Sequence, residues 1–201
     1  MFIHQFIGGT APYTVLLLHG TGGDETDLIP IGKSLAIGAN LLSPRGNVSE
    51  NGAPRFFRRL SHGVFDIEDV KVRAAELAAF IGDSAKKYNF DASRVFALGY
   101  SNGANIAHAL MFLHPGVLAG GVLLRPMPVI EPPAAVDLKG IRVLIAAGDE
   151  DGMTTPEFTH RLAADLTQAG AKVDVKWMAA GHELTPYDFQ IVQAYFKSLS
   201  S

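Results

Sequence analysis

Short apolar runs and helical stripes alternate along this chain of 201 residues. The runs are Tyr13–Leu18, Asn40–Ser43, Val95–Leu98, Val117–Leu124, Ile141–Ala147 and Val173–Met178. Most are apolar without alternation, as strands buried on both faces must be. Between them, apolar residues recur every three or four positions: Leu28, Ile31, Leu35; Ile67, Val70, Ala74, Leu77, Ile81; Ala104, Ala107, Leu110; Phe158, Leu162, Leu166; and Phe189, Val192, Phe196, Leu199. That spacing is one face of a helix. Strands and helices alternating along the chain predict an α/β fold, a mostly parallel, doubly wound sheet with helices on both faces. It is read as one domain over 1–201 without a separate lid domain, for which the length leaves little room. Met1–Phe6 reads as an edge strand. Asp24 or Thr26 caps the first helix, and Asp66, Thr155-Pro156 and Thr185-Pro186 start later ones.

Residues 45–63 break the pattern. They hold Gly46, Gly52, Pro54, Gly63, the pair Phe56-Phe57, and Arg45, Arg55, Arg58 and Arg59. The segment is read as a long loop over the sheet edge, and loops of this length are often functional. Its arginines either bind an acidic group of a substrate or pin the loop through carbonyls and carboxylates, and pinning is the simpler reading.

The run Val95–Leu98 ends in Gly99-Tyr100-Ser101-Asn102-Gly103, a G-x-S-x-G pattern followed by a helix. Strand, sharp turn with a central serine, then helix is the context of a nucleophile elbow. A serine hydroxyl needs a base, and the base an orienting acid. In an open parallel sheet these groups belong on loops at the carboxyl ends of strands. Asp149 and Asp151 follow one strand and His182 another, giving the order Ser, Asp, His. The glycine-rich turn His19-Gly20-Thr21-Gly22 is placed to supply an oxyanion donor, with His19 holding the turn in shape.

Leu18–Glu25, Leu42–Gly46, Arg55–Arg58, Gly99–Gly103, Gly148–Asp151 and Gly181-His182 together resemble the phospholipase/carboxylesterase family of α/β-hydrolases, which includes acyl-protein thioesterases, and within it small bacterial carboxylesterases. The resemblance spans nearly the whole chain. It implies Ser101 as nucleophile, Asp151 rather than Asp149 as acid, and His182 as base, with the amides of Thr21 and Asn102 as the oxyanion hole. It also implies that parts of the 45–63 loop shape the pocket. Phe56, Phe57, Phe65, Met127 and Trp177 are the candidate acyl-pocket residues. The chain departs from the family where Gly152 replaces the proline that usually follows the acid.

The expected activity is hydrolysis of small or short-chain acyl esters, without metal or other cofactor. A lysophospholipase or acyl-protein thioesterase is the enzyme alternative, and a non-catalytic α/β-hydrolase-like binding protein the alternative from another class. A net charge of -3 argues against nucleic acid as a partner. The absence of cysteine excludes disulfides and a thiol nucleophile. His4, His62, His108, His114 and His160 lack metal-ligand spacing and read as surface or helix residues. No apolar run approaches the ~20 residues that span a bilayer, and the N-terminus has no signal-peptide pattern, so a cytoplasmic location is expected. A homodimer is compatible with the sequence, although no motif specifies one.

Overall fold

The computed structural model describes residues 2–61 and 63–199, so His62 lies outside the described residues. The strands and helices, in chain order, are β1 (His4–Ile7), β2 (Thr14–Leu18), α1 (Ile29–Leu35), β3 (Asn40–Pro44), β4 (Val48–Glu50), β5 (Ala53–Arg55), β6 (Arg59–Ser61), β7 (Val64–Phe65), α2 (Ile67–Tyr88), β8 (Val95–Tyr100), α3 (Asn102–Leu113), β9 (Gly120–Leu124), β10 (Arg142–Gly148), α4 (Pro156–Gln168), β11 (Lys172–Met178) and α5 (Pro186–Lys197). The main sheet runs β1-β3-β2-β8-β9-β10-β11. Only its edge strand β1 is antiparallel, to β3.

Side chains alternate across a strand with period two. In β2, Leu16 and Leu18 face a core built with Val70 and Leu77 of α2, Leu110 of α3 and Leu162 of α4. Val15 and Leu17 face the opposite core, with Ile29 of α1 and Val192 and Phe196 of α5. Every residue of β2 and β9 is buried, which is why those runs do not alternate. Each fully buried leucine contributes about 1.5–3 kcal/mol of transfer free energy.

Helix α3 is buried over every residue from Asn102 to Phe112, a wider face than the stripe Ala104, Ala107 and Leu110 suggested. It is enclosed between the sheet and α2. Two local expectations are corrected. Phe158 is exposed, and Thr159 takes the inward position in α4. Helix α1 starts at Leu28 without a side-chain cap, because the Asp24 carboxylate is engaged by the amide and hydroxyl of Thr26.

The 45–63 segment is not a structureless loop. It forms the hairpin β4–β5 and the first strand of a second, β6–β7. In the first, Glu50 pairs with Ala53 across Asn51-Gly52. Both turn residues have positive φ, 51° and 86°, so this is an Asn-Gly turn whose twist suits a two-residue hairpin.

His108 lies on α3 and is fully buried, not at the surface. Its Nε2 accepts from the Val129 amide at 3.0 Å, and burial pushes its pKa down to about 3. Between the ordinary histidine value and that depressed one, the unfolded chain takes up a proton that the folded chain refuses. Folding therefore weakens as pH falls through this window, by about 2 kcal/mol at pH 5. We expect His108→Gln, whose amide oxygen can replace the acceptor, to remove that much of the loss between pH 7.5 and pH 5, measured by urea denaturation. Burial also lowers the pKa of His19, but that contribution is common to both proteins.

Candidate active site

Ser101 terminates β8 with φ 51° and ψ −115°, a region an L side chain occupies at a cost of about 1–3 kcal/mol. Its amide donates to the Leu124 carbonyl of β9 at 2.8 Å, and its carbonyl accepts from the Asn105 amide at 2.9 Å, starting α3. The turn is possible because glycine flanks it. A Cβ on Gly99 would lie 2.6 Å from the Gly103 carbonyl oxygen, and one on Gly103 would overlap the Leu18 carbonyl.

The His182 imidazole arrives on the loop after β11. Its Nε2 is 2.9 Å from Ser101 Oγ, and its Nδ1 is 2.8 Å from Asp151 Oδ2. The other carboxylate oxygen of Asp151 accepts from the amides of Met153 and Thr154 at 2.8 and 3.0 Å. The Asp151 side chain is fully buried. Asp149 is exposed and accepts from the Ala180 amide at 3.3 Å, so the carboxylate beside the imidazole is that of Asp151. With the carboxylate accepting at Nδ1, the neutral ring presents an unprotonated Nε2 to the hydroxyl.

The loop carrying His182 is held by a group that sequence reading passed over. Arg125 follows β9, has positive φ and is 1% exposed. Its guanidinium donates to the carbonyls of Gly181 (3.1 Å) and Glu183 (2.7 Å), on either side of His182, and to both oxygens of Asp188 at 2.8 and 3.0 Å. Asp188 also completes the capping box of α5 with Thr185. The Tyr100 hydroxyl donates to the His182 carbonyl at 3.0 Å. A charged residue closing an apolar strand was the available signal, since a buried guanidinium demands a partner. Both side chains of the pair are fully buried. Arg125→Met would leave the Asp188 charge without a cation and is expected to cost about 3–5 kcal/mol. Urea denaturation at neutral pH measures this, and a loss below about 1 kcal/mol would mean the pair does not anchor the loop.

His19 is a strut. Its Nδ1 donates to the Gly20 carbonyl at 2.6 Å while Nε2 accepts from the Gly46 amide at 3.0 Å, tying the turn after β2 to the chain after β3. Thr21 Oγ1 accepts from Arg55 Nη1 at 2.6 Å, and Asn102 Oδ1 accepts from the Phe56 amide at 2.7 Å.

Ser101 and His182 line a cavity of about 40 Å³, together with Thr21, Asn102, Arg55 and Arg59. Of the proposed pocket aromatics and methionine, Phe65 and Met127 line it. Phe56, Phe57 and Trp177 do not. Phe56 packs on the His19 ring at 4.7 Å, and Phe57 is buried edge-on to Phe65 at 5.4 Å. Trp177 sits on the outermost strand against His160. A second, apolar groove of about 650 Å³ adjoins the cavity through Gly63 and Phe65.

The four arginines of the 45–63 segment divide. Arg45 pairs through two nitrogens with Glu25, and Arg58 reaches Asp66 and Asp69, so these two pin the segment. Arg55 and Arg59 both approach Glu50 and reach the cavity. No group of residues able to hold a metal ion occurs among the described residues, and none of their helices is long and apolar enough to cross a membrane.

The provisionally named hydrolase MhqD of Bacillus subtilis is 44% identical over 194 residues, covering 96% of this chain and 97% of MhqD. The chain belongs to the phospholipase/carboxylesterase family of α/β-hydrolases. The crystal structure of the Bacillus cereus carboxylesterase superimposes with a TM-score of 0.96 at 42% identity, covering 98% of this chain and 94% of that one. The carboxylesterase from Mesorhizobium loti gives 0.92 at 36% identity over the same shares. No family model matches. Membership places the chain among carboxylic ester hydrolases, and the sheet order above is that of an α/β-hydrolase, with no separate lid among the described residues.

Proposed function

We propose that the protein is a serine carboxylesterase for small or short-chain acyl esters, with Ser101 as nucleophile, His182 as base and Asp151 as acid. The observation that carries this is the unbroken hydroxyl–imidazole–carboxylate chain at 2.9 and 2.8 Å, opening on a cavity of about 40 Å³. As Ser101 Oγ attacks the ester carbonyl, its proton passes to His182 Nε2. Asp151 stabilises the imidazolium. The alcohol leaves with that proton, and water, deprotonated in turn by His182, releases the acid and restores the hydroxyl. The amides of Thr21 and Asn102 serve as oxyanion donors, each worth about 3–4 kcal/mol in the transition state. Arg55 fixes Thr21 through its hydroxyl, and the Phe56 amide fixes the Asn102 side chain, which supports both assignments.

At about 10–15 Å³ per water-sized volume, the cavity has room for about three water-sized groups, which suits short acyl chains. The adjoining apolar groove supports the second reading, a lysophospholipase or acyl-protein thioesterase whose chain leaves the cavity past Phe65. A p-nitrophenyl ester series from acetyl to palmitoyl separates the two. We expect kcat/KM to peak at four carbons or fewer and to fall at least tenfold by octanoyl; a maximum at palmitoyl would establish the second reading. A fluorophosphonate probe tests the enzyme against a binding module: labelling at Ser101 is expected, and failure to label folded protein would overturn the enzyme assignment.

A further inference from the structure

We propose that this esterase selects substrates bearing a carboxylate close to the scissile ester, recognised by Arg55 and Arg59. The inference rests on the esterase reading of the same cavity and adds a substrate class to it.

Charge is the first observation. Three arginines and no aspartate or glutamate line the cavity. Arg125 is neutralised by Asp188. Arg55 and Arg59 share one carboxylate, Glu50, at 3.3 and 2.9 Å. Two cations against one anion leave a unit of positive charge facing the space in front of Ser101. Asp151 does not cancel it from within the cavity, because it lies behind the imidazole and its second oxygen is taken up by two amides.

Unsatisfied donors are the second. The Arg55 side chain is 4% exposed. Its Nε donates to the Phe57 carbonyl and its Nη1 to Thr21, and Nη2 has no hydrogen-bond partner among the described residues. Its approach to Glu50 Oε2 is an ion pair without hydrogen-bond geometry, and that oxygen has no hydrogen-bond partner among the described residues. Among the described residues Arg59 hydrogen-bonds only through Nε, to Glu50. Asn102 Nδ2 is buried with no hydrogen-bond partner among the described residues. Burial, with the Arg59 cation beside it, pushes the pKa of Arg55 down, and Glu50 offsets this only in part. Donors of this kind, lining one cavity and partly desolvated, suit a planar carboxylate.

Location is the third. The Arg55 guanidinium is bonded to Thr21, the proposed oxyanion donor, so an anion on it lies a few bonds from the reacting carbonyl. The small volume limits the spacer to a short one. The carboxylate belongs either to the acyl half, as in a monoester of a short dicarboxylic acid, or to the alcohol half, as in an acylated hydroxy acid.

Two matched pairs distinguish these sources in a pH-stat: monoethyl succinate against ethyl butyrate, and acetoxyacetate against ethyl acetate. In each pair a carboxylate replaces a methyl. We expect kcat/KM to favour the anionic member by at least about tenfold in one pair, mainly through KM. The preference should shrink with added sodium chloride. Arg59→Gln keeps Glu50 paired with Arg55 and should bring the ratio to about one or below, while Arg59→Lys retains part of it. Binding of succinate to Ser101→Ala by calorimetry gives a readout free of turnover, with affinity expected to fall about tenfold when Arg59→Gln is added. Turnover of the neutral esters with no anionic preference in either pair would overturn this inference and leave the esterase reading intact. Succinate binding that ignores Arg59 would also overturn it. Arg59-dependent succinate binding with no ester hydrolysed would overturn the esterase reading instead.

Discussion

Replacing Ser101 by alanine is expected to lower kcat for p-nitrophenyl acetate by about 10⁶-fold, as removal of a nucleophile does when base and acid act through it. The fold should survive, because among the described residues Ser101 Oγ hydrogen-bonds only to the imidazole. A companion substitution makes the test sharper. At φ 51° and ψ −115° a β-carbon is strained, and alanine keeps that strain while glycine relieves it. Glycine also gives the unfolded chain more freedom, an opposing effect of about 0.4–1 kcal/mol. Ser101→Gly should therefore be as inactive as Ser101→Ala yet more stable, by about 1 kcal/mol, or about 2–4 °C in Tm for a chain of this length. Retained turnover in either variant would remove Ser101 from the chemistry. Equal melting temperatures would mean that the turn relaxes when the hydroxyl is lost.

Asp151→Asn is expected to reduce kcat by about 10⁴-fold while binding of substrate changes little. The carboxylate accepts three hydrogen bonds, two from amides and one from the imidazole. An asparagine has one acceptor oxygen. If it stays with the amides of Met153 and Thr154, its NH₂ faces His182 Nδ1 and forces the proton to Nε2. The ring then offers Ser101 a donor where a base is needed. Asp149→Asn, on an exposed side chain one turn of backbone away, should leave kcat near wild type. The opposite pattern would exchange the two roles.

How much of this was legible before the fold was known depends on distance along the chain. The sheet and its helices follow from period two and period 3.6, which are local, and from the apolar runs of β2, β8, β9 and β10. Ser101 was legible because the elbow is a five-residue pattern. Asp151 could be separated from Asp149 only by the resemblance, since both follow the same strand and only the backbone path after Gly148 decides which carboxylate turns inward. The Asn51-Gly52 turn was a readable hairpin signal, but strands of three residues with no alternation on either side hid it. Phe56 and Phe57 were read toward the pocket because the resemblance implies that parts of their loop shape it; the chain after hairpin β4–β5 instead turns both into the core. Arg125 and Asp188 are 63 positions apart. No window of sequence holds both, so the clamp on His182 became visible only in three dimensions.

Arg55 and Arg59 sit on two small hairpins outside the seven-stranded sheet. Ser101, Asp151 and His182, by contrast, are delivered by strands of the sheet itself. The proposed catalytic residues and the arginines proposed to read the substrate are thus built on separate pieces of chain. Descendants of this scaffold can exchange one or both guanidinium groups, or lengthen a hairpin, without disturbing a single ladder of the central sheet, so what the enzyme accepts can drift while how it cuts stays fixed.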